Sequence, residues 1–258
     1  MKTAFITGIT GQVGSTLADF ILTNTDWNII GLMRWQEPLD NIRHLTGHIN
    51  NNERISIVYG DLNDSFSLLS VLDQHRPDYL FHLAAQSYPK TSFDIPIETL
   101  TTNIIGTANI LEVCKTLAHK DKYYPIIHIC SSSEVYGKVK DNAMITEDSQ
   151  LNASSPYSLS KIGTDFLGKL YADAYSLKTF IALFFSIISV CPNFFKSSLR
   201  SSNDCLRNVK CFIHNGDLFH KSSSNIYRGK IGPLSQAFLN ASLSKTLKSL
   251  LNQTICII

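Results

Sequence analysis

Hydrophobic positions along this chain follow two alternating spacings. Compact apolar runs at 3–7 (TAFIT), 28–33 (NIIGLM) and 79–85 (YLFHLAA), with the alternating run at 55–61 (ISIVYGD), predict strands. So do 124–130 (YPIIHIC) and 179–185 (TFIALFF). Between them, residues 15–24, 66–75, 97–117 and 157–175 carry apolar residues three and four apart, the stripe of an amphipathic helix. Pro77 stops the second of these, and Gly106 lies inside the third. Strand alternating with helix predicts an α/β fold, a doubly wound parallel sheet of the Rossmann-like kind with helices on both faces. In such sheets ligands bind beyond the carboxyl ends of the strands. After about Ser189 the pattern lapses into a Ser-, Asn- and Lys-rich stretch, with a terminal helix over Leu234–Leu251 the one element it suggests.

Composition narrows the class. Of 258 residues 44% are hydrophobic, ordinary for a globular core, and the net charge of +2 gives no reason to expect nucleic acid or an anionic membrane as partner. No apolar run approaches the ~20 residues that span a bilayer, and the apolar stretch at the start is only Ala4–Ile6. A soluble, cytoplasmic protein is expected. The six cysteines form no Cys-x-x-Cys pair and no zinc-ligand spacing, so no metal is expected, and Cys130, ending a strand, reads as a buried small hydrophobe.

The chemistry begins at GITGQVGS, residues 8–15, between the first strand and the first helix. Glycine at 8 permits a sharp turn, at 11 a close approach of phosphates to the backbone, and at 14 helix packing on the sheet. Helix amides and the helix dipole then face the pyrophosphate. A dinucleotide site is expected from Gly8, Thr10, Gly11, Gln12, Val13 and Gly14. At the end of the second strand an acid would bind a ribose 2′-hydroxyl, whereas a cation tolerates a 2′-phosphate. Here stands Arg34, with no acid before Glu37 and with Arg43 close behind, which favours NADP over NAD. Tyr157 and Lys161 lie four apart on a predicted helix and so share a face. A neighbouring ammonium favours the phenolate and lets tyrosine act as a base. Pro156 places Tyr157 in the first helical turn.

These motifs, taken in order, resemble the extended short-chain dehydrogenase/reductase family, the NAD-dependent epimerases and dehydratases. TGITGQVG, GDLND (60–64), HLAAQS (82–87), NIIGTANILE (103–112), SSSEVYG (131–137) and SPYSLSK (155–161) all look like its segments. The resemblance implies adenine-side contacts at Asp61 and Leu62, a cofactor-passing strand end at Leu83, Ala84 and Ala85, and cofactor contacts from Tyr157 and Lys161. It implies a catalytic set of Ser132, Glu134, Tyr157 and Lys161, a GDP-sugar substrate and a homo-oligomer. Glu134 matters because plain alcohol oxidation needs no second carboxylate, whereas abstraction of a proton beside a new carbonyl does. Within the family the finer resemblance is to the dehydratases that act on GDP-mannose; glucose-type enzymes usually carry Asp-Glu where this chain has Ser133-Glu134. The reductase that acts on the GDP-4-keto-6-deoxymannose product has closely similar motifs.

The resemblance fades near residue 180. Family members continue with an Arg, a Phe-Asn and a Gly-Pro element leading into a substrate lobe. TFIALFFSIISVCPNFF (179–195) has none of these. The expected organisation is therefore a cofactor domain over 1–185 and a divergent or partly disordered segment over 186–258, as a truncated or aberrant lobe. A reading-frame change or a divergent lobe would each account for it, and the Ser/Asn-rich composition favours the first. Three readings stay open: an active GDP-sugar enzyme, an NADP-binding module without turnover, and a remnant.

Overall fold

The computed structural model describes residues 1–51, 53–138, 145, 149–182, 210–214, 217–221 and 226–230. It divides into two compact units, one of residues 1–131 with 155–181, the other of 132–154 with 182–258.

The first unit is built on a six-stranded sheet in the order β3-β2-β1-β4-β5-β6. Its strands are β1 (Thr3–Thr7), β2 (Asn28–Met33), β3 (Ile55–Tyr59), β4 (Tyr79–His82), β5 (Ile126–Cys130) and β6 (Lys178–Ala182). The pairings of β1 with β2 and β4, β2 with β3, and β4 with β5 are parallel. The expected Rossmann-like sheet is thus present. Its strand order reverses at β1, so the carboxyl ends of β1 and β4 border the crevice where such folds bind ligands.

Each strand end matches a change in the sequence. β1 stops where Gly8 turns to a φ of +70°, and α1 (Gln12–Asn24) begins with Gly11 at its N-cap. α3 (Ser65–His75) is capped by Asp64, whose carboxylate accepts from the amides of Phe66 and Ser67. The two-residue period of the strands sends side chains to both faces. Phe5, Leu80, Ile127 and Ile129 join Leu68 and Leu72 of α3 and Ile110, Leu111, Cys114 and Leu117 of α5 (Gly106–Asp121) in the core on one face. Ala4, Ile6 and Ile29 are fully buried as well.

The helix expected over 97–117 is longer and broken. It runs as α4 (Pro96–Leu100), a π-helical turn (Thr101–Ile105) and α5 (Gly106–Asp121). α2 (Thr46–Asn50) and the 3-10 turns at Asp40–Leu45 and Thr91–Phe93 carry no clear periodicity and were not foreseen. α6 (Pro156–Tyr175) starts on a reciprocal cap: the Ser155 hydroxyl accepts from the Ser158 amide at 3.0 Å, and the Ser158 hydroxyl accepts from the Ser155 amide at 2.9 Å.

In the second unit, a 3-10 turn covers Ser133–Tyr136. β7 (Lys210–His214), β8 (Asp217–Lys221) and β9 (Ile226–Lys230) form an antiparallel three-stranded sheet. The composition of that stretch does not announce these strands. The helix expected over Leu234–Leu251 lies outside the described residues.

Candidate active site

Gly8, Gly11 and Gly14 form a cradle that side chains would fill. A Cβ on Gly8 would lie 2.9 Å from the Ala84 backbone, and one on Gly14 2.8 Å from the Ile9 Cα and closer still to the Gly8 carbonyl oxygen. The Gly11 amide donates to that carbonyl at 3.0 Å, closing the turn. The first turn of α1, with Gln12 exposed and Val13 half-buried, carries no acidic residue, and no side chain caps its amides. That leaves helix-end amides and their dipole for an anion. Thr10 is buried, and its carbonyl accepts from the Asn41 side chain at 2.8 Å. Asn41, on the unforeseen 3-10 turn after β2, thereby ties that segment to the glycine loop. These features fit a bound dinucleotide pyrophosphate.

At the end of β2 the chain reverses through Gln36, at a φ of +61°. The reversal brings Glu37 back onto Arg34: its carboxylate accepts from the Arg34 amide at 3.1 Å and lies 3.4 Å from the guanidinium. Glu37, the first acid after Arg34 in the sequence, is thus paired with it by the turn. Arg34 stays 63% exposed, and Arg43 pairs with Asp40 on the surface. After β3, the Asp61 carboxylate accepts from the Asn63 amide at 2.8 Å. Leu62 is buried, and its carbonyl accepts from Asn109 of α5 at 2.8 Å.

The end of β4 is fixed by a buried polar chain. The Thr7 hydroxyl oxygen accepts from the amides of Leu83 and Ala84, each at 3.0 Å. Its own proton then points at His82 Nδ1, 3.0 Å away. That leaves His82 Nε2–H to donate to the Thr107 hydroxyl at 2.9 Å, which donates to the Asn103 carbonyl at 2.6 Å. The ring is held neutral, and burial lowers its pKa to about 3. Leu83, Ala84 and Ala85 are thus carried past the glycine loop on a pinned backbone. Asn103, in the π-turn, accepts from the Gln86 amide at 2.8 Å and donates to the Gln86 carbonyl and to Ser160 of α6 at 3.0 and 2.8 Å. It couples the β4 loop to the helix that bears Tyr157. Its signal in the sequence was one amide in an apolar helical run.

Tyr157 and Lys161 occupy the first two turns of α6, and both are buried. The Tyr157 amide donates to Ser92 at 3.1 Å, and the Lys161 ammonium lies 5.9 Å from the Tyr157 ring centre. That ammonium donates to the Cys130 carbonyl at 2.8 Å. Cys130, the last residue of β5, is half-buried, and its carbonyl is the group with a role. Burial pushes its thiol up to about 11. The next residue, Ser131, donates to Asp165 of α6 at 2.5 Å. Neither Asn103 nor Asp165 was singled out from sequence.

In the second unit, Ser132 is buried and caps the 3-10 turn, its hydroxyl accepting from the Glu134 amide at 3.2 Å. Glu134 is half-buried in the first position after Ser133, and the turn is tied at Val135, whose carbonyl accepts from Asn152 at 2.8 Å.

A GDP-mannose 4,6 dehydratase family model matches residues 5–223, past the point near 180 where the motifs fade. The chain is 34% identical over 184 residues to GDP-mannose 4,6 dehydratase 2 of Caenorhabditis elegans, a match covering 68% of this chain and 46% of that one. It is 32% identical over 189 residues to dTDP-glucose 4,6-dehydratase of Escherichia coli, covering 68% and 52%. The chain spans about half the length of the curated relatives it matches. Among solved structures it is similar to DesIV, a dTDP-glucose 4,6-dehydratase of Streptomyces venezuelae with NAD and TYD bound, with a TM-score of 0.62, 26% identity, and 70% and 55% of the two chains covered.

Proposed function

Because the chain belongs to the GDP-mannose 4,6-dehydratase family, we propose that it is an NADP-dependent lyase that converts GDP-mannose to GDP-4-keto-6-deoxymannose. The single observation that carries the reading is the Tyr157–Lys161 pair, buried at the head of α6 beside the end of β5. The loop of Gly8, Gly11 and Gly14 would hold the nicotinamide dinucleotide, which would supply a reversible hydride acceptor and make the whole reaction redox-neutral.

The protein's part is alignment and proton transfer. Tyr157 takes the proton of the 4-hydroxyl as carbon 4 becomes a ketone. The Lys161 ammonium, held on the Cys130 carbonyl, keeps a positive charge beside the Tyr157 ring. Ser132 donates a hydrogen bond to the oxygen at carbon 4. The ketone acidifies the proton on carbon 5, which Glu134 removes. The carbon 6 hydroxyl departs as water with the proton that Glu134 has taken, and the proton that Tyr157 took from the 4-hydroxyl balances the one added to carbon 5 as carbon 6 is reduced.

NADP rather than NAD is supported by the exposed guanidinium of Arg34 at the end of β2. Glu37 is the group that would turn the preference the other way. Among the described residues no helix is long and apolar enough to cross a membrane, which accords with a cytoplasmic setting. A homo-oligomer is supported by exposed Ile97 and Ile105 and by exposed Leu159, Phe166 and Leu170 on α6, which packs against α4.

A second reading, a cofactor-binding protein with little turnover, is favoured by the absence of Arg, Phe-Asn and Gly-Pro from residues 179–195. One experiment separates the two. The purified chain is mixed with NADP+ and GDP-mannose and followed by product analysis and reduced-cofactor absorbance in a single turnover. Product from the wild type, with reduced cofactor accumulating and product blocked in Glu134→Gln, supports the dehydratase. Unchanged product from Glu134→Gln removes Glu134 from the mechanism, and cofactor binding without product leaves the second reading.

A further inference from the structure

Asp165 is a half-buried acid, its Oδ1 withdrawn from solvent, that the mechanism above does not use. It lies one turn beyond Lys161 on α6, and its Oδ2 accepts from the Ser131 hydroxyl at 2.5 Å. Its Oδ1 is buried, with no hydrogen-bond partner among the described residues. The groups facing it are Lys161 on its own helix and, from the end of β5, Ser131 and the Cys130 thiol. Cys130 and Ser131 are consecutive, and the Cys130 carbonyl receives the Lys161 ammonium. Helix and strand end are therefore joined twice, once through the lysine and once through the aspartate.

We propose that Asp165 is a positioning residue for Lys161: through Ser131 it fixes the strand end that receives the ammonium, and its carboxylate is the buried counter-charge of that ammonium. A carboxylate withdrawn from water keeps its charge only where donors and cations compensate it. Asp165 has one donor and one nearby cation. Burial raises its pKa to about 6, while the Ser131 hydrogen bond and the Lys161 charge oppose that rise. Above that value the carboxylate steadies Lys161, and below it the neutral acid leaves the ammonium uncompensated. Asparagine keeps the shape and an oxygen for Ser131 but removes the charge.

The inference rests on the proposed role of Lys161, yet its test does not need turnover. A double-mutant cycle on the full chain compares wild type, Asp165→Asn, Lys161→Met and the double variant by urea unfolding at pH 5 and pH 8. A non-additive cycle at pH 8 that closes at pH 5 is expected. A merely structural hydrogen bond would give the same result at both values. Additivity at both overturns the proposal, whatever the protein binds. Alongside it, NADPH affinity is measured by fluorescence quenching. Asp165→Asn should weaken it about tenfold at pH 8, as for one pKa unit of altered interaction, and leave it unchanged at pH 5. Equal affinities of wild type and Asp165→Asn at pH 8 also count against the proposal. If the wild type binds no nicotinamide cofactor while the cycle remains non-additive, the functional reading falls and the Asp165–Lys161 coupling stands.

Discussion

Two buried polar clusters sit at the carboxyl edge of the same sheet, and they are finished differently. At the ends of β1 and β4, the Thr7 hydroxyl, both nitrogens of His82 and the Thr107 hydroxyl all have partners. At the end of β5, Asp165 has one oxygen bonded and the other without a partner among the described residues. A satisfied network in low dielectric makes a stiff joint. An unsatisfied one keeps a charge in a setting where its ionisation can be moved. The first cluster borders the crevice; the second faces Lys161.

Breaking each cluster should give opposite results. Thr7→Val keeps the volume but strips partners from two half-buried amides and a buried ring nitrogen. A loss of about 2 kcal/mol or more is expected, at about 1–3 kcal/mol for a buried group left unpaired, with Thr7→Ser retaining most of the stability. Asp165→Asn removes an under-compensated charge and should change stability at pH 8 by less than about 1 kcal/mol or raise it. Urea denaturation of the three variants measures both, and similar losses at the two positions would erase the distinction.

Acid sharpens the comparison. Burial lowers His82 to about 3 and His128 to about 4, while Asp165 is raised to about 6. Between about pH 6 and pH 4 the unfolded chain binds protons on both histidines and the folded chain does not, so stability falls as pH falls. Asp165 works the other way, binding its proton in the folded state first. Two protons against one leave a net slope of about 1.4 kcal/mol per pH unit from these three groups. Asp165→Asn removes the opposing proton and should about double that slope. An unchanged slope would show that Asp165 does not titrate in this window.

The exposed end of β2 supplies the smallest effects, because its pair is wet. Arg34→Ala should weaken NADP+ binding by about tenfold or less, since a phosphate contact is charge-assisted but here screened. NAD+ should hardly change. Glu37→Gln should move the preference toward NADP+ by a few-fold. Equal losses for both cofactors in Arg34→Ala would remove Arg34 from cofactor choice.

What was legible in the sequence follows physical lines. β2 was read at its full extent, and β1 likewise, because an apolar run bounded by polar residues or glycine leaves a strand little freedom. The glycine cradle and the head of α6 were legible because their residue types answer strict local demands: a positive φ, a close approach, a proline at a helix start. The pairing of Glu37 with Arg34 was missed because it depends on a left-handed turn at Gln36, a residue without a turn signature. Asp165 was missed for a different reason. One acid on an amphipathic helix looks solvated until the strand beside it is known.

The π-turn at Thr101–Ile105 has a consequence for how this chain can change. A π-turn holds one residue more than the α-helical turn it replaces, and the helix on either side keeps its face. The segment is therefore an absorbed insertion. A one-codon deletion within it would leave Thr99 and Ile110 in their buried positions while taking away the outward swing of Asn103 that joins Gln86 to Ser160. Few core helices can lose a residue without refitting everything downstream, and this one can. The link between the β4 loop and α6 is thus a detachable accessory of the fold.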